Sequence, residues 1–318
     1  MIKLFNINNY QIDTSKLGNL LHGEIVEEFE QAFAEYVGAK YACLANSASS
    51  LIYLSLNGLN SDPNTPNSTI KIPSIIPLVV PNVIISSGNN IEFYDDIDWV
   101  GNAYKLHDGI WDSAQQTTRN QYKDLAEPDD VMIFSFYPTK PVGGCDGGMI
   151  VGDNKEKIDH YRTMTLNGTR MNEDNWNREH IAMGHKMHGS SIQAHIANEN
   201  LKKLDEKNSI LEEIRLNYND ALGYNNTSNH LYRIRVKDNR SFLLKMKDQG
   251  IQCGIHYEAF HKNPLTHHSN FYLRYRNRRS LEKSELEERQ TVSIPFHEKL
   301  SSQEIKHIIE NIIRSQNE

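Results

Sequence analysis

The chain has 318 residues, 38% of them apolar and 24% charged, with a formal net charge of -7. This length allows one large or two modest domains with a sizeable core, and the mix of residues is that of a soluble globular protein without low-complexity tracts. The acidic balance argues against broad nucleic-acid binding, and no window approaches the ~20 apolar residues of a membrane span.

Met1 to Ile7 contains no long apolar stretch of the kind a secretory leader needs. Cys43, Cys145 and Cys253 are too few and too scattered for a disulfide framework or a CxxC metal site. The 14 histidines include His185, His188 and the pair His267-His268 but no HExxH pattern, so no metal is expected. A cytoplasmic enzyme or binding protein is the default.

In chain order, Glu24 to Val37 reads as a helix with Ile25, Phe29, Phe33 and Tyr36 or Val37 on one stripe, closed by Gly38. Lys40 to Leu44 reads as a strand, and the small polar run Ala45 to Ser50 leads into an apolar helix, Leu51 to Leu59. Strand, small-residue turn and helix together aim free backbone N–H groups and hydroxyls at an anion; a plain N-cap by Ser47 or Ser49 is the simpler alternative. A strand over Thr69 to Pro73 follows. Pro77 and Pro81 leave Ile75 to Ser87 open between an extended segment and a helix starting near Pro77 that Pro81 would kink.

Further strands are expected at Ile91 to Tyr94, Gly109 to Asp112, Val131 to Phe136 and Gly148 to Val151. Alternation of strands and helices over the first 150 or so residues predicts an α/β fold, a mostly parallel sheet with helices on both faces. Strand ends in such a sheet share one edge, where ligands bind. That brings together Ser47 to Ser50, Ser74, Asp112 with Gln115, and Ser135 with Lys140, the last on the glycine-rich loop Pro141 to Gly148. A lysine so placed can be held neutral and form a Schiff base.

From Ile192 to about Leu222 the pattern is one long helix without proline, read as a bridge out of a large N-terminal domain, residues 1–200. A smaller α+β domain, residues 201–318, is expected to hold a strand at Leu231 to Val236, a helix at Arg240 to Gln249 and a strand at Ile251 to Tyr257. An irregular segment to about Arg279 and a C-terminal helix at Ser302 to Ser315 complete it.

These pieces, in this order, resemble the DegT/DnrJ/EryC1/StrS family of pyridoxal-phosphate (PLP) sugar aminotransferases on the fold type I scaffold. The resemblance rests on Phe29-Glu30 with Phe33 to Gly38, on Asn46 to Ser49, on Ile72-Pro73-Ser74 and on Trp111 to Gln115. It continues through Phe134 to Lys140, Gly147-Gly148, Ile192-Gln193-Ala194, Gly250 to Tyr257 and Ser293 to Phe296. It implies that Lys140 holds PLP as an internal aldimine and later shuttles the proton, that Asp112 pairs with the pyridine nitrogen, and that Gln115 donates to the ring 3-oxygen. It further implies that the Ala48 backbone, with the Ser49 and Ser135 hydroxyls, holds the phosphate, and that transamination from L-glutamate to a nucleotide-linked keto-sugar passes through pyridoxamine phosphate. A keto-cyclitol acceptor, or a PLP-binding regulatory protein with little turnover, are the rival readings. His256-Tyr257 and the Asn167 to Arg170 loop would suit a polyhydroxylated, anionic acceptor.

Three departures from the family pattern stand out. Ile97 to Asp108 is too short for the family's extra strand-helix unit, so either one strand fewer or a non-helical remnant at Ala103 to Leu106 is expected. Pro77 stands where the family commonly stacks an aromatic on the cofactor ring. Lys186 stands where the family reaches an asparagine into the partner subunit's phosphate site. It would replace that contact as a point charge in a homodimer, or else be a plain surface lysine.

Overall fold

A computed structural model describes residues 1–10, 12–21, 23–60, 67–171, 178–263 and 280–317. The His267-His268 pair and most of the irregular segment up to Arg279 lie outside the described residues. Helix α1, Glu24–Val37, buries Phe29, Phe33, Tyr36 and Val37, and Gly38 ends it in the left-handed region with φ 78°. Strand β1, Tyr41–Ala45, runs into α2, Ala48–Asn57, which starts three residues earlier than expected because Ser47 caps the N–H of Ser50. After β2, Thr69–Pro73, the proline-punctuated segment settles as a helix, α3, Val79–Ser86. Pro81 is its third residue, within the first turn, where no intrahelical N–H bond is lost.

Strand β3, Asn90–Tyr94, is followed by turns only, and then by two short strands, β4, Tyr104–His107, and β5, Ile110–Asp112. The shortened segment therefore keeps a non-helical remnant, and that remnant is a strand. A short helix α4, Gln121–Leu125, leads to β6, Val131–Ser135, and the glycine-rich loop leads to β7, Gly148–Gly152.

The five-stranded sheet has the order β1-β7-β6-β5-β4. Strands β1, β6 and β5 run one way, while β7 and β4 run against them; β2 and β3 pair in parallel as a separate two-stranded sheet. The parallel character expected from sequence thus holds for part of a mixed sheet. The reason is local: β4 and β5 are joined by a tight turn and β6 and β7 by a loop with no crossover helix, so neither pair has the connection that parallel pairing requires.

Alternate residues of the central strands enter two cores, as the period of a strand dictates. Cys43, Ile133 and Ile150 face a core shared with α2, α3, β2 and β3. Leu44, Phe134, Met149 and Val151 face a second core with α1, where Phe33 meets Phe134 and Phe136 at ring distances of 4.9 and 5.2 Å. Both faces are covered, which is why these strands read as unbroken apolar runs.

Helix α5, Lys155–Thr165, and a hairpin of β8, Thr169–Met171, and β9, Arg178–His180, precede the helical stretch expected as a single bridge. That stretch is two helices, α6, Ser191–Leu201, and α7, Leu204–Leu222. Lys202 and Lys203 close α6, the Lys203 N–H bonding to Asn200 in a tighter turn, so Leu201 and Leu204 both stay in the second core. A third core gathers α7, β10, Tyr232–Arg235, α8, Asn239–Asp248, β11, Thr291–Ile294, and the C-terminal α10, Ser302–Asn317. Ile2 packs against it and its N–H bonds to the Gly250 carbonyl at 2.7 Å, so the first residues run beside C-terminal elements.

One expectation fails here, and one helix was not foreseen. Ile251 to Tyr257 is no strand and makes only single bridges, Ile251 to Ile2 and Gly254 to Ser293. A helix the pattern did not reveal, α9, Glu282–Gln290, buries only Ser284 and Glu287, so it shows no apolar stripe. Its first N–H groups, of Lys283 and Ser284, are capped from far away by Asp95 at 3.0 and 2.7 Å.

The edge strand β1 is tied down by a buried carboxylate. Glu30 accepts from the Leu44 N–H at 2.7 Å and pairs with Arg162 at 2.8 Å, while Arg162 also donates to the Ala42 carbonyl. Glu30→Ala should leave these donors without their acceptor and cost about 2 kcal/mol, read as a lower urea midpoint at unchanged slope.

Candidate active site

The register of the sheet fixes the geometry of the site. Gly148 lies opposite Ala45 of β1 on one side and Ser135 of β6 on the other, and Asp112 ends β5 opposite Ile133. The last residues of β1, β5 and β6 therefore share one edge, where α2 begins and the glycine-rich loop carrying Lys140 departs.

Asp112 is 5% exposed. One oxygen accepts from the Ala114 N–H at 2.9 Å and the other from the Tyr104 hydroxyl at 3.0 Å. Burial pushes its carboxyl above the usual carboxylate range, opposed by these two donors and the Lys140 charge. None of the ion pairs among the described residues involves it. A buried carboxylate with neutral donors and a lysine charge nearby is prepared for a further cationic partner. Lys140 is half-buried, and burial pulls its amine below the ordinary lysine value while the Asp112 charge opposes the shift. A lysine shifted in this direction is a better nucleophile at neutral pH.

Gln115 is buried, and its carbonyl accepts from the Gly101 N–H at 2.9 Å. That bond directs its amide NH2 the other way, and no described residue receives it. At the start of α2 the Ser47 hydroxyl is committed to the Ser50 N–H at 3.2 Å, and the Ser49 N–H has no acceptor within the helix. Ser49 and Ser135 are half-buried, and Ser135 Oγ accepts only a long bond from the Tyr137 N–H, 3.4 Å. Gly148 keeps this corner open, since a Cβ there would stand 2.3 Å from the Ala48 nitrogen. The corner is a cradle of N–H and hydroxyl donors suited to a phosphate. A cationic ring nitrogen for Asp112, a donor in Gln115 and an anion cradle at Ala48, Ser49 and Ser135 are what PLP requires, and these residues fit it.

Lys186 is not drawn into this group. It is exposed, and its side chain has no hydrogen bond or ion pair with a described residue, although the neighbouring Met187 carbonyl accepts from Asn46 at 2.7 Å. Pro77 is half-buried just ahead of α3. His256 and Tyr257, expected to line the site, do approach it. Burial with the Lys140 and Arg233 charges pulls His256 down to about 4, and the Asp112 charge adds to burial in raising Tyr257.

Tyr104 and His230 were missed from sequence. His230 is buried, stacks on Phe5 with ring centroids 5.9 Å apart, and is held well below the ordinary histidine value by burial and the Lys140 charge. Nothing in its sequence neighbourhood marks it. Tyr104 had a signal: Asp108-Gly109 between Tyr104-Lys105-Leu106 and Ile110-Trp111-Asp112 is a hairpin pattern, which sets Tyr104 opposite Asp112.

Fold and site together define a fold type I, PLP-dependent aminotransferase. The sequence profile of the DegT/DnrJ/EryC1/StrS aminotransferase family matches residues 6–98 and 102–313, and the chain belongs to that family. The interruption falls inside the shortened segment. A UDP-4-amino-4,6-dideoxy-N-acetyl-beta-L-altrosamine transaminase from Campylobacter jejuni is 24% identical over 366 aligned positions, covering 95% of this chain and 94% of the relative. Those positions exceed the 318 residues here, so the alignment opens gaps in this chain. The spore coat polysaccharide biosynthesis protein SpsC of Bacillus subtilis is also 24% identical, over 94% of this chain and 92% of its own. Among solved structures, PseC from Helicobacter pylori, an aminotransferase of pseudoaminic acid biosynthesis, shares the fold at TM-score 0.80 with 18% identity, covering 99% of this chain and all of that one. Spr1654 from Streptococcus pneumoniae in its PLP form does so at TM-score 0.80 with 16% identity, over 98% of both chains.

Two outcomes follow. Gly148→Ala should push the start of α2 out of place and weaken PLP binding at least tenfold in a titration of the apo-protein, with its circular dichroism retained. His256, with a folded value near 4 against an unfolded value of 6.5, contributes stability that is complete above pH 6.5 and lost as pH falls through about 4. His256→Gln should therefore flatten the decline of the urea midpoint over that window, and a decline parallel to wild type would contradict it.

Proposed function

We propose that the chain transfers an amino group from L-glutamate to a keto group of a nucleotide-linked sugar. The observation that carries the reading is the buried Asp112 carboxylate, outside any described ion pair, on the sheet edge that also bears Lys140. The sugar acceptor is supported by the names of the relatives, above all the C. jejuni transaminase acting on a UDP-linked amino sugar. PLP, when bound, supplies the electron sink that lets a proton leave the carbon bearing the amino group. Lys140 would supply the amine that holds the cofactor's aldehyde and, when free, would hold and move that proton at Nζ. Asp112 would keep the ring nitrogen charged, Gln115 would donate from its amide, and Ala48, Ser49 and Ser135 would hold the phosphate. His256 and Tyr257 border the acceptor side.

The working form in this reading is a homodimer. Lys186, exposed and unpaired, would reach the neighbouring subunit's phosphate site as a point charge. Large apolar side chains open to solvent, Met183 at 91% and Leu78 at 52%, are in keeping with an interface. No helix among the described residues is long and apolar enough to cross a membrane, and three free cysteines suit a reducing compartment such as the cytoplasm. A large unit of residues 1–200 and a small one of 201–318 would enclose the acceptor between them.

The decisive measurement uses the purified protein with PLP and glutamate. Wild type should show the visible absorbance of lysine-linked PLP, lose it on addition of glutamate and yield pyridoxamine phosphate by chromatography. Lys140→Ala and Lys140→Arg should lack both the band and the turnover. Full activity in either variant would sink the assignment, and a band unmoved by glutamate would mark a binding protein instead.

A further inference from the structure

The segment between β3 and β5, within which the family profile is interrupted at residues 99–101, lies against Asp112 and Gln115. Trp99 is 6% exposed, its indole N–H donates to the Ile75 carbonyl at 3.0 Å, and its ring lies 4.6 Å from that of Tyr104. On its other side Trp99 stacks near Tyr257, with an interplanar angle of 8°. Tyr104, 7% exposed, is thus fixed by packing with its hydroxyl on Asp112. Two residues after Trp99, Gly101 gives its N–H to Gln115, and Ala103 gives its own to the side chain of Gln116 at 2.9 Å. Gly101 needs to be glycine, since its φ is 93° and a Cβ would stand 2.5 Å from Ser228 Oγ.

We infer that this segment is the cofactor-ring clamp of the enzyme, with Tyr104 as a positioning residue for Asp112 and the Gly101 N–H as the group that orients Gln115. The inference rests on the function proposed above and concerns how this chain holds Asp112 and Gln115. Asp112 must stay ionised in a buried place, and a buried carboxylate resists ionisation unless donors meet it. The Ala114 N–H serves one oxygen. Tyr104 serves the other, and burial together with the Asp112 charge holds its phenol well above the ordinary tyrosine value, so it remains a donor throughout. With both oxygens engaged the carboxylate plane cannot rotate, which leaves its remaining lone pairs at a fixed position for a ring nitrogen. Gln115 is handled the same way: with its carbonyl bound, its NH2 has one direction left.

The test is Tyr104→Phe in the full-length protein. PLP titrated into the apo-protein should bind about tenfold more weakly, the expected loss for one hydrogen bond to a charged group. Without that donor the Asp112 carboxyl titrates at higher pH, so the pH at which PLP binding is half lost on acidification should move upward. In an Asp112→Asn background, Tyr104→Phe should change PLP binding by less than twofold, because its route of action is gone. Placing 3-fluorotyrosine at Tyr104 keeps the shape with a more acidic hydroxyl, and serves if the phenylalanine variant does not fold. It should move the pH midpoint downward. Unchanged affinity and midpoint in Tyr104→Phe, an unmoved midpoint with the fluorinated residue, or full additivity with Asp112→Asn would each overturn the inference and leave Tyr104 as packing alone. Should Lys140→Ala keep both the visible band and full turnover while Tyr104→Phe still weakens PLP binding through Asp112, the proposed function falls rather than this clamp.

Discussion

A buried carboxylate at the end of β5 is the constraint around which the rest of the molecule is arranged. Burying Asp112 is unfavourable in itself, and its two donors come from different elements, the Ala114 N–H two residues beyond the end of β5 and the Tyr104 hydroxyl from the neighbouring strand. What remains is a charge whose compensation is incomplete within the chain. Lys140 responds to it across the edge, and the two groups shift in a way that serves opposite chemical tasks. The carboxyl must hold its charge against burial, whereas the amine gives up part of its proton affinity to burial. The glycine loop, the sheet register and the start of α2 are the means by which this pair meets an anion cradle.

Much of this was readable from the residues. The stripe of α1, the end of each central strand and the glycines at 147 and 148 follow from local rules, since burial on both faces leaves unbroken apolar runs and tight backbone approach leaves glycine. Lys140, Asp112, Gln115, Ser49 and Ser135 could be placed on one edge because parallel strands share it. Less legible were features carried by distant partners. Helix α9 owes its start to Asp95, far away in sequence, and packs through Ser284 and Glu287, so no periodicity announced it. The break between α6 and α7 has no glycine or proline, and it follows from the need to bury both Leu201 and Leu204. His230 reaches the site only because the third core sets β10 beside it. Tyr104 was legible in principle, from the Asp108-Gly109 turn that pairs β4 with β5.

The short segment between β3 and β5 shapes the sheet. A crossover would have continued the parallel order, whereas a tight turn forces β4 to run against β5 and leaves β2 and β3 as a pair of their own. The new antiparallel edge is nonetheless tied on both sides. Trp99 joins it to Ile75 ahead of α3, and Arg233 of β10 donates to the Ile97 carbonyl while pairing with the buried Glu287 at 2.7 Å. Aromatic and charged contacts thus hold this edge in place.

Ser228 shows what such economy entails. Its hydroxyl donates to the Gly101 carbonyl at 2.9 Å and accepts from the N–H groups of His230 and Leu231 at 3.0 and 3.2 Å. One oxygen atom therefore stands between the peptide that steadies Gln115 and the first residues leading into β10. A shift of the segment entering β10 would thus reach the Gln115 amide through the hydrogen bonds of a single side chain and one glycine.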